Sequence, residues 1–225
     1  MKKLHHLNEN IQWTTCALDS DTDISQMSGL DMLTDDEKHR AARFRFDKHR
    51  ERYVRGRAFL RTIVAGSLNI DRKALVLQTN EFDKPYIINN PIYFNLSHSS
   101  ATAVLVLSET MPVGIDLEFF DRKVEVVQLG KTVFTSNEVN RLENADEEQA
   151  KHLFFQFWTA KEAYLKMLGT GLSLSPKKLE INFACDKPVS CSSKGYPSAN
   201  LSYISLPGST AICCVAYPIN SNEIQ

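Results

Sequence analysis

Two carboxylates stand two residues apart in Gly114-Ile115-Asp116-Leu117-Glu118. On a strand that spacing projects both from one face, where like charges raise each other's pKa unless a cation sits between them. Magnesium suits such a pair, because it takes a few carboxylates, several waters and the oxygens of a substrate phosphate. A solvent-facing strand of alternating polarity gives the same pattern. A third carboxylate, Glu162, lies in Phe157-Trp158-Thr159-Ala160-Lys161-Glu162-Ala163-Tyr164-Leu165-Lys166. An apolar stripe through Phe154, Trp158, Leu165 and Leu168 predicts that Glu162 faces inward. A carboxylate there costs desolvation energy unless it meets a partner, which makes Glu162 a candidate metal ligand, general base, or both. Lys166 follows one helical turn later. As an ordinary surface pair with Glu162 it would contribute roughly 0.2–0.5 kcal/mol, but the inward position of Glu162 argues against that reading. Lys161 can point either way.

A further constellation, Phe94-Asn95-Leu96-Ser97-His98-Ser99, ends a short strand. Its hydroxyls, imidazole and turn amides offer donors to a phosphate. A Ser-His hydrolase is the rival, but neighbours on an extended chain diverge, so Ser97 and His98 are poorly placed as nucleophile and base. No Gly-x-Ser-x-Gly elbow accompanies them. Between Lys38 and Arg61 runs a basic stretch that includes Arg40, Arg43, Arg45, Arg50, Arg52, Arg55 and Arg57. Most of these charges are expected on a solvated helix face, with a few left to grip phosphates. Lys84, beside Pro85, is a turn lysine or a nucleotide contact.

The elements that must carry these groups read as α+β. A strand is expected at 11–18. Thr34-Asp35-Asp36-Glu37 has capping-box spacing and opens a helix to about Phe46, followed by a second helix over 48–67. Strands are expected at 74–79, from Ile92 into Ser97, at 102–107 and at 112–118, the last two joined as a hairpin through Glu109 to Pro112. Thr135-x-x-Glu138 opens another helix, and a long helix over 147–168 stops at Gly169. Late strands are expected at 178–183, 201–206 and 210–217, with a loop between Cys185 and Asn200. The one plausible boundary divides residues 1–110 from 111–225. A net charge of −1 gives no global pull toward nucleic acid or membrane, and no reader motif accompanies the basic run. No apolar run is long enough to span a bilayer. Five scattered cysteines without a Cys-x-x-Cys pair suit a reducing compartment, with Cys213 and Cys214 as packed thiols. Met1-Lys2-Lys3-Leu4-His5-His6 lacks the apolar stretch of a signal peptide, so a cytoplasmic protein is expected.

In this order, Phe94-Asn95-x-Ser97-His98-Ser99, Gly114-Ile115-Asp116-x-Glu118 and Trp158-x-x-Lys161-Glu162-Ala163-x-x-Lys166-x-x-Gly169-x-Gly171-Leu172 resemble the Sfp-type phosphopantetheinyl transferases. The similarity covers roughly residues 34–175. It implies a pseudo-twofold molecule of two similar α+β halves with coenzyme A between them, the N-terminal half contacting the nucleotide and the C-terminal half holding magnesium. It further implies magnesium ligands in Asp116, Glu118 and Glu162, and coenzyme A contacts in Ser97 and His98, His98 at the 3′-phosphate. Lys161 and Lys166 match lysines beside the pyrophosphate. Arg40, Arg52 and Lys84 match nucleotide contacts, Arg40 standing where some relatives have Lys. The implied activity is transfer of phosphopantetheine to a serine of an apo acyl or peptidyl carrier protein by a monomer. The segment after Asp121, through Arg122, Lys123, Val124 and Val127, is the candidate docking surface. A binding module without chemistry and a magnesium-dependent coenzyme A pyrophosphohydrolase are the alternatives.

Overall fold

The computed structural model describes residues 3–19, 29–88, 92–120, 124–206 and 208–219. Strands β1 (His5–His6) and β2 (Ile11–Ala17) lead toward helix α1 (Asp35–Ala42). The Thr34 hydroxyl accepts from the Glu37 amide while Glu37 accepts from the Thr34 amide, so the predicted capping box forms. Helix α1 stops four residues short of the expected Phe46, and α2 (Asp47–Ser67) follows. Most of the predicted strand at 74–79 does not form. Only β3 (Gln78–Thr79) is extended, paired with β4 (Pro85–Tyr86). Next come β5 (Tyr93–Ser99), which runs past its expected end, and β6 (Thr102–Ser108). The order β1-β2-β6-β5 makes a four-stranded sheet, antiparallel throughout.

Strand β7 (Gly114–Glu118) leaves that sheet. The expected hairpin between β6 and β7 is absent because β2 and β5 already occupy both edges of β6. Residues 109–113 instead carry the chain into a second sheet, ordered β7-β11-β10-β9-β8. On the way lie α3 (Val126–Val133), α4 (Ser136–Glu143), which opens on the predicted Thr135/Glu138 capping box, and α5 (Glu147–Leu168). Gly169 ends α5 at φ 74°, the left-handed conformation that glycine adopts without penalty. The sheet is completed by β8 (Glu180–Ala184), β9 (Lys187–Ser192), β10 (Ala199–Tyr203) and β11 (Ile212–Pro218). Strand β9 lies where a loop is expected, because its Ser, Pro and Lys content hides a half-buried edge-side strand.

Alternation along β6 explains the layering. Ala103, Leu105 and Leu107 face α2, packing with Phe59, Leu60 and Val64. Val104 and Val106 face the other way, onto Ile115 and Leu117 of β7 and Val215 of β11. Strand β11 repeats the device, with Cys214 and Ala216 turned toward Ala160, Tyr164 and Leu165 of α5. Both sheets are therefore buried on two faces, and the molecule is an α+β stack of helix, sheet, sheet and helix. The predicted packing of Cys213 and Cys214 holds, since both thiols are free and buried. No helix among the described residues is long and apolar enough to cross a membrane.

Candidate active site

Strands β5 and β7 are edge strands of different sheets, yet they lie side by side. Side chains of β5 bridge them. Asn95 Oδ1 accepts from the Ile115 amide at 2.9 Å, Ser97 Oγ from Leu117 at 3.3 Å, and Ser99 Oγ from Phe119 at 3.4 Å. The three bridging residues are two apart and so share one face of β5. The same rungs aim the paired carboxylates. Ser97 donates to Asp116 Oδ1 and Ser99 to Glu118 Oε2, each at 3.0 Å. From α5, Lys166 Nζ reaches Asp116 Oδ1 at 2.5 Å and Ser97 Oγ at 3.1 Å. Lys166 thus forms an ion pair with Asp116 between helix and strand, in keeping with the expectation that it is not an ordinary surface partner of Glu162. Gly114 lets α5 come this close, since a Cβ there would lie 2.0 Å from the Ala163 carbonyl oxygen.

Burial pushes the Asp116 carboxyl up, against the opposing pull of Lys166 and Ser97. Glu162 is pushed up by burial and then by the charge of Asp116, with Glu118 adding to it and Lys166 opposing. Glu162 therefore feels both of the other predicted carboxylates. Asp116 Oδ2 is buried without a hydrogen-bond partner, on a carboxylate whose other oxygen meets Lys166. Among the described residues no three His, Cys, Asp or Glu side chains are drawn in around a common point, and Lys166 is the cation that Asp116 meets. The donor set of all-oxygen carboxylates and the orphaned Oδ2 fit magnesium.

A cavity of about 960 Å³ opens on the far side of β5, between that strand, α2 and the 78–85 turn. It lies at the upper end of small-molecule sites, roughly 300–1,000 Å³. His98, Arg52 and Arg40 are among the residues that line it. Burial and then the charges of Lys166 and Arg52 hold the His98 pKa below the usual value, with Asp116 opposing. The imidazole thus stands electrically between the carboxylate cluster and the cationic cleft. Arg52 is clamped by both oxygens of Asp19, at 2.5 and 2.6 Å, and this pairing holds the Asp19 carboxyl down at about 2. Arg40 lies over the Tyr53 ring. Arg57 and Arg61, from the same basic stretch, grip Glu37. Burial pushes that carboxyl up, but the two guanidiniums hold it below its ordinary value.

Three of the expected residues are engaged within the protein. Ser97 is buried, its hydroxyl accepting from the Leu117 amide and Lys166 and donating to Asp116. Lys161 is fully buried on a different face of α5 from Glu162. There it donates to Glu138 Oε2 at 2.6 Å and to the Pro176 carbonyl at 2.9 Å, over the Phe134 ring. Neighbouring positions on a helix diverge by about a quarter turn, which sends the two side chains to different surroundings. Lys84 does not line the cleft. Its ammonium turns to the carbonyls of Met167 and Val113, at 2.9 and 3.4 Å. Of the expected docking segment, Asp121, Arg122 and Lys123 lie outside the described residues, and Val127 belongs to α3. Sequence reasoning missed the roles of Asn95 and Ser99, although their two-residue spacing about Ser97 was the available signal. It also missed Tyr53, Lys73 and Gln78 in the cleft wall, which carry no motif.

Residues 112–215 match the model of the 4′-phosphopantetheinyl transferase superfamily, and residues 20–110 match that of the 4′-phosphopantetheinyl transferase N-terminal region. The chain is 34% identical to the 4′-phosphopantetheinyl transferase HetI of Nostoc sp. strain PCC 7120, over 70% of this chain and 68% of the relative. It belongs to the 4′-phosphopantetheinyl transferase family. Similarity to the 4′-phosphopantetheinyl transferase Sfp of Bacillus subtilis strain 168 is 25%, over 84% of each chain. The L-aminoadipate-semialdehyde dehydrogenase-phosphopantetheinyl transferase of Mus musculus is 26% identical over 77% of this chain and 60% of its own length. In this phosphopantetheinyl transferase the two matched regions meet at the β5–β7 seam. The Asn95-Ser97-Ser99 face belongs to one region, while Asp116, Glu118, Glu162 and Lys166 belong to the other.

Proposed function

We propose that this transferase moves the 4′-phosphopantetheine group of coenzyme A to a serine of an apo acyl or peptidyl carrier protein, releasing 3′,5′-ADP, with magnesium as its resident metal. The observation that supports the reading is the Lys166–Asp116 ion pair, with Glu162 under the influence of Asp116 and Glu118, across β5 from a cleft lined by Arg40, Arg52 and His98 and large enough for a nucleotide. Residues 1–110 supply the nucleotide contacts Arg40, Arg52 and His98; residues 111–225 supply the acidic site.

Asp116, Glu118 and Glu162 would hold the metal. Magnesium, when bound, would neutralise charge on the pyrophosphate and ease the departure of 3′,5′-ADP. The carrier serine oxygen forms a bond to the β-phosphorus as the bond from that phosphorus to the 3′,5′-ADP oxygen breaks. Glu162, directly or through a water, accepts the serine proton, a role that suits a carboxyl whose basicity burial and Asp116 raise. Lys166 meets the charge gathering on the phosphate oxygens. Ser97 holds Asp116 and Lys166 in register. The enzyme acts as a cytoplasmic monomer in this reading.

Intact mass of an apo carrier after incubation with the chain, coenzyme A and magnesium tests the proposal. One added phosphopantetheine, absent when metal is omitted, is expected; Asp116→Ala and Glu162→Ala should abolish it with the fold retained by circular dichroism. Coenzyme A bound but intact, with no carrier modified, would point to a binding module. Cleaved coenzyme A beside unmodified carrier would point to a pyrophosphohydrolase.

A further inference from the structure

The turn between β3 and β4 has two working faces. Gln78, Thr79, Asp83 and Pro85 line the nucleotide cleft. The intervening side chains of Asn80 and Lys84 point away from it, onto the C-terminal end of α5. Asn80 Nδ2 donates to the Gly169 carbonyl at 2.7 Å, and Lys84 Nζ to the Met167 carbonyl at 2.9 Å. The last carbonyls of a helix have no partner within it, and the negative end of the helix dipole favours a cation there. Lys84 also reaches the carbonyl of Val113, one residue before β7. One ammonium therefore ties together the turn, the helix that carries Glu162 and Lys166, and the strand that carries Asp116 and Glu118.

The fit is tight. Gly169 is the C-cap of α5, and a Cβ there would lie 2.9 Å from Lys84 Cδ and 3.0 Å from Asn80 Nδ2. The turn is itself stiffened, because Asn80 Oδ1 accepts from the amides of Phe82 and Lys84 at 3.0 and 2.9 Å, and the Asn80 amide donates to the Lys84 carbonyl. Burial holds the Lys84 ammonium down to about 8, so keeping a charge at this spot is costly. The carbonyls of Met167 and Val113 offset that cost.

We propose that Asn80 and Lys84 are positioning residues: they transmit the placement of the nucleotide-cleft wall to the catalytic end of α5 and hold Glu162 and Lys166 at their working distance from β7. This rests on the functional reading above. Lys84 then acts on the reaction without touching coenzyme A, in contrast to the nucleotide contact implied by resemblance.

The test uses the full chain with Lys84→Met, which keeps the packing and removes the donors, and Asn80→Ala. Steady-state transfer to an apo carrier is measured together with binding of 3′,5′-ADP by calorimetry and amide exchange across residues 165–170. The expected result is a kcat lower by about tenfold to a hundredfold, the scale for a catalytic group misplaced by an ångström. KM for coenzyme A and 3′,5′-ADP affinity should stay within about twofold, well inside the tenfold per 1.4 kcal/mol that loss of a charged contact brings. Exchange at the end of α5 should quicken. A raised KM and weakened 3′,5′-ADP binding with kcat retained would overturn the proposal in favour of direct nucleotide contact. Unchanged exchange and unchanged kcat would overturn it outright. If the unaltered chain modifies no carrier, the functional reading falls, and the exchange measurement still decides whether the turn holds the helix.

Discussion

His98 shows how one side chain reports on the whole cleft. Burial, Lys166 and Arg52 all press its imidazole toward the neutral form, against Asp116 alone. A phosphate dianion arriving beside it would reverse that balance, so binding should take up a proton near neutral pH. Affinity for 3′,5′-ADP should therefore weaken as pH rises from about 6 to 8, around the ordinary histidine value. Calorimetry in buffers of different ionisation enthalpy should show the uptake in the native chain and lose it in His98→Ala. Equal proton uptake in both would remove His98 from the phosphate site. Lys161 makes the opposite case. Its ammonium is buried against Glu138, which also caps α4. Lys161→Met would strand that carboxylate and should cost about 3–5 kcal/mol in urea denaturation. Transfer per folded molecule should survive, whereas a loss of kcat at full stability would return Lys161 to the reaction.

At the scale of elements, the site depends on two close approaches. Gly114 allows β7 to touch α5, and Gly114→Ala would drive a Cβ into the Ala163 carbonyl and the Met167 amide. Because both obstacles are backbone, the expected loss is at least about 3 kcal/mol, read as a collapse of the thermal midpoint; a near-native midpoint would mean the two elements can part freely. The second approach is the β5–β7 seam, with its three side-chain rungs. Much of this was legible in advance. Both capping boxes, the glycine stop of α5 and the same-face geometry of Asp116 and Glu118 follow from local rules, and local rules are what a sequence displays. The β6–β7 connection was misread because alternation and a turn signal look alike whether a strand returns to its neighbour or crosses to another sheet. Lys161 and Glu162 show a similar limit. An apolar stripe says which face of a helix is covered, but not that a lysine can be buried more deeply than the glutamate beside it once Glu138, distant in sequence, supplies its partner.

Across the whole molecule, two helix-covered sheets press their apolar faces together, and the acidic site sits where their edges meet. The cleft belongs to the first sheet and its helix α2, and the carboxylates to the second. The chain therefore needs both halves in register before any group is aimed. Order of synthesis adds a constraint. The first sheet is complete once β6 has been made, because its four strands all precede Thr110. Strand β7 follows at once but finds its sheet partner only in β11, at Ile212–Pro218, through the register Glu118↔Ile212 to Gly114↔Ala216. A nascent chain emerging from the ribosome can fold its early portion first, and β7 can meet the β5 rungs at once, yet its backbone partner in the sheet comes only near the last described residues. The sheet register that fixes the acidic strand is therefore set only after β11 has been made, however early the cleft takes shape.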